Sequence, residues 1–289
     1  MSKNGLVLRP EYVRDVEVSA FGVVQKPLTA TEKIFRIGVV RKSLLLLILA
    51  IIWEVYATIL DEPLLFPKFS DTLLSFFHNI LNGVLLERGW FSIKILIIGY
   101  VAGLLLAGML TAFAITSRVG NDFLETLTSM FNPLPAIALL PLALIWFGLN
   151  NGSVVFVLIH SVMWPVALNT HSGFMSVSPT LRMVGRNYGL LGPRYVIRIL
   201  IPAAFPNILT GMKIGWAFAW RTLIAAEIVF GVSAGSGGLG WFIYENKNML
   251  DTANVFAGLF SVIVIGLAME NLVFRPLERK SVRKWGMQS

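Results

Sequence analysis

Cysteine is absent from this chain of 289 residues. That excludes disulfides, iron–sulfur clusters, zinc–thiolate sites and thiol nucleophiles together. Histidine is nearly absent: His78, His160 and His171 are too scattered for a metal centre. Charge is thin, at 14% of residues, where a soluble domain carries about 25%. No G-x-x-x-x-G-K-[ST] run occurs, so the chain is not its own P-loop ATPase. What is abundant is apolar: hydrophobic residues make up 56%. A water-facing surface cannot be built from this balance, and the chain reads as an integral membrane protein. In such a protein the net charge of +8 reports topology, not affinity for nucleic acid.

A spanning helix needs about 20 mostly apolar residues. Six segments qualify, at 43–60, 93–115, 130–149, 153–170, 208–230 and 255–274. The third holds Pro133, Pro135 and Pro141, which predicts a kinked or partly broken helix. Six spans put both termini on one side. With the N-terminus inside, 18 Lys and Arg fall on inner segments and three (Lys68, Arg88, Lys247) on outer ones. That asymmetry favours both termini in the cytosol of a multi-pass membrane protein. Residues 1–42 open with no apolar run, so no cleavable signal peptide is expected. The stretch 61–91 is amphipathic, with Ser70 or Asp71 as the expected N-cap. Leu73, Phe76, Phe77, Ile80 and Leu81 are on one face, which predicts a helix on the outer membrane surface.

Charges inside spans suggest function by default. Arg221 and Glu227 share the fifth span six residues apart, which leaves them about 120° from one face. Arg221 has two readings. It supplies positive potential along an anion path, or it pairs with a glutamate of a neighbouring span such as Glu54 or Glu270. Lys213 reads first as a side chain that snorkels to the inner interface. Glu54, Glu227 and Glu270 would be the carriers of a proton-coupled secondary transporter, the main alternative, although pairing within the structure is the commoner fate of such groups. His160 reads as a packed, hydrogen-bonded histidine. Trp146, Trp164, Trp216, Trp220 and Trp241 read as core or interface anchors, with Trp220, beside Arg221, grouped with the path. Gly99, Gly103, Ala107 and Gly108 form a small-xxx-small pattern for close helix packing. Residues 235–240 match G-x-G-x-x-G, but no strand–helix unit surrounds them, so a glycine-rich outer loop is expected, not a dinucleotide site. No cluster suited to a membrane enzyme is found. The basic tail 275–289 is explained by anionic lipid at the inner face.

The most informative stretch is the long inner loop 178–206, with four arginines and no acid. Gly185, Gly189 and Gly192 punctuate a short helix, and Pro202 and Pro206 precede the next span. Its spacing resembles the cytoplasmic loop of ABC-importer permeases: E-A-A, three residues, G, nine residues, I-x-L-P. Gly189 fits the glycine, Ile199 the isoleucine and Pro202 the proline, with Ile201 in place of leucine. The triad is the departure, since Met183, Val184 and Gly185 occupy it and the glutamate is missing. The proline-rich run 132–149 and the run 220–243 resemble the nitrate/sulfonate/taurine branch, and the resemblance covers roughly residues 93–279.

The resemblance implies an all-α integral membrane protein, a type I binding-protein-dependent permease. It has six transmembrane helices (43–274), a cytoplasmic N-terminal segment (1–42) and a basic tail. It implies a coupling helix that docks into an ATPase subunit through Arg182, Met183, Val184, Gly185, Arg186, Asn187, Tyr188, Gly189 and Gly192. The expected partners are cytosolic ATP-binding subunits, a second permease chain (a homodimer), an extracytoplasmic solute-binding protein and the bilayer, with no nucleic acid. The chain itself would hold no cofactor and catalyse nothing, ATP and Mg²⁺ being bound by the ATPase. The expected cargo is a small anion: nitrate, a sulfonate such as taurine, bicarbonate or a carboxylate. Arg221, Trp220 and Glu227 are the path residues this reading nominates.

Overall fold

The computed structural model describes residues 36–230 and 237–283. Most of the N-terminal segment, the first part of the glycine motif and the end of the basic tail lie outside the described residues. The chain divides into two units, Met1–Ile52 and Trp53–Ser289. The described part of the first is the beginning of helix α1 (Gly38–Leu60), whose leucines and isoleucines are exposed on every side. A helix apolar all round belongs in lipid.

The second unit is helical throughout, with no strand among the described residues. After α1 come α2 (Phe69–Leu81), α3 (Val84–Ala114), α4 (Arg118–Phe131), α5 (Leu140–Phe147) and α6 (Asn151–Met175). Then follow α7 (Pro179–Asn187), α8 (Gly192–Tyr195), a π turn (Val196–Leu200) and α9 (Ile201–Phe230). The described chain closes on α10 (Leu239–Asn248), α11 (Thr252–Met269), a second π turn (Glu270–Phe274), α12 (Arg275–Glu278) and a third π turn (Arg279–Arg283). Among the described residues five helices are long and apolar enough to cross a membrane, or six if one bent pair counts as a span.

That pair overlaps the third expected span but begins twelve residues earlier: 130–149 takes in only the last two residues of α4, the 3₁₀ turn and α5. It is not one helix: α4 meets Ala136–Phe147 at 89°. Pro133 and Pro135 lack the N–H a continuing helix needs, and each disfavours helical backbone in the residue before it. Pro135 is extended (φ −60°, ψ 119°) and caps a 3₁₀ turn at Ala136–Leu139. Pro141 sits in the first turn of α5, where a proline costs nothing.

Two other expectations need correction. Helix α3 starts at Val84, nine residues ahead of the expected 93, because Gly83 (φ 79°) turns the chain straight from α2 into it. The cap of α2 is the extended Lys68; Ser70 instead gives its N–H and hydroxyl to the Glu54 carboxylate, at 3.0 and 2.9 Å. Helix α2 also packs on α11, through the edge-to-face rings of Phe76 and Phe260 and the Asn79–Asn254 amide bond of 2.7 Å. Phe77 and Leu81, expected beside Phe76, point outward.

The core is the α3–α6–α9 contact. A Cβ at Gly99 would lie 2.5 Å from Leu158 Cβ, and one at Gly103 would lie 2.6 Å from Val162 Cβ. The small residues therefore let α3 and α6 touch backbone to side chain. Gly108 faces open space and is not part of that stripe. Leu96, Val157, Leu158, Val162, Ala167 and Leu223 fill the centre with no measurable exposure. In lipid, such packing is held by van der Waals contact more than by the hydrophobic effect.

Candidate functional site

Helix α7 is built to be short. The Ser178 hydroxyl caps its start by accepting from Leu181 N, and Pro179 occupies its first turn. Its end is a Schellman motif: Gly189 N–H donates to Arg186 O (2.9 Å) and Leu190 N–H to Gly185 O (3.0 Å). That motif needs a left-handed residue, and Gly189 supplies φ 71°. No atom lies within 4 Å of a Cβ placed there, so conformation, not space, demands glycine.

The structure sorts the nominated residues of this loop into two groups. Gly185 is buried, and a Cβ there would lie 3.0–3.2 Å from Ile199 and the Tyr195 ring. Arg182 turns back and donates to the carbonyls of Phe174 and Val177 at the end of α6, where a cation complements the helix dipole. These two hold α7 in place. Met183, Val184, Arg186, Asn187, Tyr188, Gly189 and Gly192 face outward. Tyr188 is 81% exposed and Leu191, which sequence reasoning did not name, 72%. Behind α7 opens a cleft of about 1000 Å³, reached by Arg118, Arg182, Arg186, Asp122 and Glu125.

A second feature lies at the bend of the third span. Residues 131–137 form one wall of a cavity of about 300 Å³, and His160, Ser161, Trp164 and Pro165 of α6 with Phe218, Arg221 and Thr222 of α9 form the other. The indole of Trp164 stacks on Phe131 (5.3 Å, 11°), and His160 meets both rings edge-on. Neither ring nitrogen of His160 has a hydrogen-bond partner, nor has Trp164 Nε1. The expectation of a hydrogen-bonded histidine fails here. Arg221 gives Nε–H to Ala217 O (3.0 Å) and lies over the Phe218 ring. It makes no ion pair among the described residues, so pairing with Glu54 or Glu270 is not what the structure shows. Trp220 is buried, donates to Val262 O (3.3 Å), and lines a smaller cavity on the other side of Arg221.

Glu227 lies apart from both cavities. It is 6% exposed and accepts from Ser92 Oγ (2.7 and 2.9 Å) and Gly240 N–H (2.8 Å). Ser92 Oγ in turn accepts from Leu239 N–H (2.9 Å). The pair therefore caps the start of α10 from two other helices. A Cβ at Gly240 would be 2.5 Å from Ile224 O, and one at Gly238 would strike the Glu227 carboxylate. The described part of the glycine motif is thus a close-packed joint. Ser92 was missed because a lone serine in an apolar span carries no pattern. Lys213 does not simply snorkel; it pairs with Glu278 (2.7 Å) and Glu270 (3.7 Å). The three carboxylates of the proton-coupled alternative each have separate partners, and none is bonded to another.

Among known proteins, the model of the family described as binding-protein-dependent transport system inner membrane component matches residues 99–279. A protein of Methanocaldococcus jannaschii named as an ABC transporter permease is 32% identical over 224 residues, 76% of this chain and 83% of its own. The aliphatic sulfonates transport permease protein SsuC of Bacillus subtilis is 30% identical over 257 residues, 86% and 89% respectively. The crystal structure of an amino acid ABC transporter with histidines aligns at TM-score 0.50 and 18% identity, covering 72% of this chain and 98% of that one; it shares the fold. The family model spans more than half of the chain and both relatives extend over more than three quarters of it, so the chain belongs to the family of binding-protein-dependent transport system inner membrane components.

Proposed function

We propose that this chain is the permease of an ATP-driven importer for a small anion of the sulfonate class. A solute-binding protein delivers the anion on the outer face, and both termini lie in the cytosol. The observation that carries the reading is α7. It is capped at both ends, anchored from behind by Arg182 and Gly185, and turns Met183, Val184, Arg186 and Tyr188 outward. An apolar face ringed by arginines suits a cleft in a soluble partner, which here is the ATPase. The residue at the glutamate position, Met183, is 57% exposed, so its flexible thioether meets that partner where the family presents a carboxylate.

ATP and Mg²⁺ belong to that partner, since the chain has no P-loop. No bond of the solute is made or broken, so no residue here is catalytic. Arg221 is placed on the path. It is exposed in the single chain beside Phe218 (41% exposed), and an arginine deep in a span is not left facing hydrocarbon. A second copy of the chain covers that face and makes the path between two permeases. Closure of the ATPases on ATP moves α7, and the spans rock from inward- to outward-facing.

The test is a pull-down of the tagged chain from mildly solubilised membranes, with ATPase activity assayed on the eluate. Recovery of a P-loop ATPase is the expected result. A chain that transports after reconstitution without one overturns the proposal.

A further inference from the structure

We infer that the cavity at the bend is a solute site within the permease, and that its solute is an organic oxyanion, a sulfonate-type head on a short apolar body. This rests on the permease reading above and deepens it: the binding protein is not the only place where the solute is recognised.

The first observation is unmet hydrogen bonding. Trp164 is 5% exposed, yet its indole N–H has no acceptor, and both nitrogens of His160 are also unpartnered. Folded proteins leave few such atoms. Three of them around one cavity, beside an arginine, mark a place where partners arrive from outside; the Trp164 N–H and one nitrogen of a neutral His160 are donors that call for an acceptor. The second is charge. The cavity wall contains no carboxylate. The bond from Arg221 Nε to Ala217 O fixes the guanidinium and leaves its two terminal nitrogens for a forked contact with an oxyanion. A cation would meet only repulsion there. The third is the rest of the wall, which is mostly apolar: besides Asn132, Ser161 and Thr222 it holds Phe131, Pro133, Pro135, Ile137 and Phe218. An inorganic ion would leave that surface unused, whereas a short aliphatic body covers it. The depth fits as well. His160 is nine residues into α6 and Arg221 nine residues from the end of α9, each about 14 Å along its helix. The Ser161–Thr222 hydroxyl contact of 3.0 Å confirms the shared level, near the middle of a bilayer about 30 Å thick.

The experiment titrates the full chain in lipid nanodiscs with 1-butanesulfonate, nitrate and butylammonium by calorimetry. Wild type is compared with Trp164→Phe, which keeps an aromatic ring against Phe131 and removes the N–H together with the pyrrole half of the indole, and with Arg221→Gln. Butanesulfonate should bind wild type and weaken about tenfold or more in each variant, since each loses a hydrogen bond to a charged group. Nitrate should bind less tightly and butylammonium not at all. Equal binding by wild type and a folded Trp164→Phe, or no binding by wild type, overturns the site; nitrate binding as tightly as butanesulfonate overturns the organic body. Should Arg221→Gln fail to fold, Trp164→Phe and His160→Asn decide. ATPase recovery from the same preparation separates the two claims. Recovery without butanesulfonate binding sinks the site alone, and loss of recovery sinks the permease reading.

Discussion

Glu227 offers the sharpest test of whether a buried carboxylate in this chain carries protons or holds structure. Its two oxygens accept from Ser92 Oγ and from Gly240 N–H, and Ser92 Oγ accepts from Leu239 N–H. Glu227→Ala removes the acceptor of two buried donors. Each costs about 1–3 kcal/mol when left unsatisfied, and the start of α10 loses a stabilising negative charge worth about 0.3–1 kcal/mol. The sum is about 2–7 kcal/mol, a fall in Tm of roughly 4–28 °C for a unit of this size. Glu227→Gln behaves differently. Its carbonyl oxygen can still accept from Gly240, and its amide can donate to the free lone pair of Ser92, so the loss should stay within about 1 kcal/mol. The assay is thermal unfolding of the purified chain in nanodiscs, followed by transport of the reconstituted complex. Glu227→Gln should melt and transport close to wild type, while Glu227→Ala melts early. If Glu227→Gln stops transport while folded, or melts as early as Glu227→Ala, the capping account is wrong and the negative charge itself is required.

Four further outcomes follow from the same geometry. Gly189→Ala forces an L-residue into φ 71° at a cost of about 1–2 kcal/mol, so membrane insertion should persist while ATPase co-purification falls. Gly103→Leu drives a side chain into Val162 and should abolish the folded monomer peak in gel filtration, whereas Gly108→Leu, with open space around it, should elute as wild type. Lys213→Met removes one cation from Glu278 and one from Glu270, which keeps Arg275 at 3.9 Å, and these groups are a quarter or more exposed. The loss should be under about 1 kcal/mol by denaturant titration. Because the chain has no cysteine, Phe218→Cys is a clean probe of the second copy. A short bismaleimide should cross-link it into a dimer in membranes, whereas Leu105→Cys on the outward face of α3 should stay monomeric.

The spans were legible because hydrocarbon imposes one strong rule, a long apolar run, and five of the six candidates are long apolar helices. The sixth, at 130–149, was legible as a break for the same reason prolines break any helix, but its 89° turn depends on which proline starts the next segment. Helix α7 was legible from Gly189, since a left-handed position at a helix end is a local, sequence-encoded demand. What sequence could not give were contacts between spans. Glu227 looked like a free charge until Ser92, 135 residues away, and the Gly240 N–H met it. Lys213 looked like a snorkelling side chain until Glu278, 65 residues on, came beside it. His160 looked like an ordinary packed ring, because nothing in its neighbours along the chain shows that both nitrogens would be left without partners. Pairing of this kind is a property of the packed bundle, and single-chain periodicity does not contain it.

The position of α9 connects these features into one device. Just ahead of α9, Tyr195 at the end of α8 and Ile199 of the π turn pack against Gly185 of α7. From Ile201 α9 runs without interruption to Phe230, so 26 residues and about 39 Å separate its start from Glu227. On the way it presents Arg221 to the cavity at the bend, and near its far end Glu227 grips the start of α10. A helix held at both ends moves as a unit. On the proposed mechanism, a displacement of α7 by the ATPase therefore reaches Arg221 and α10 together, with the π turn at Val196–Leu200 as the place where the tilt is taken up. Coupling through one rigid element requires no chain of small side-chain shifts. Three of the five buried polar side-chain atoms left without a partner among the described residues lie at the cavity that α9 carries.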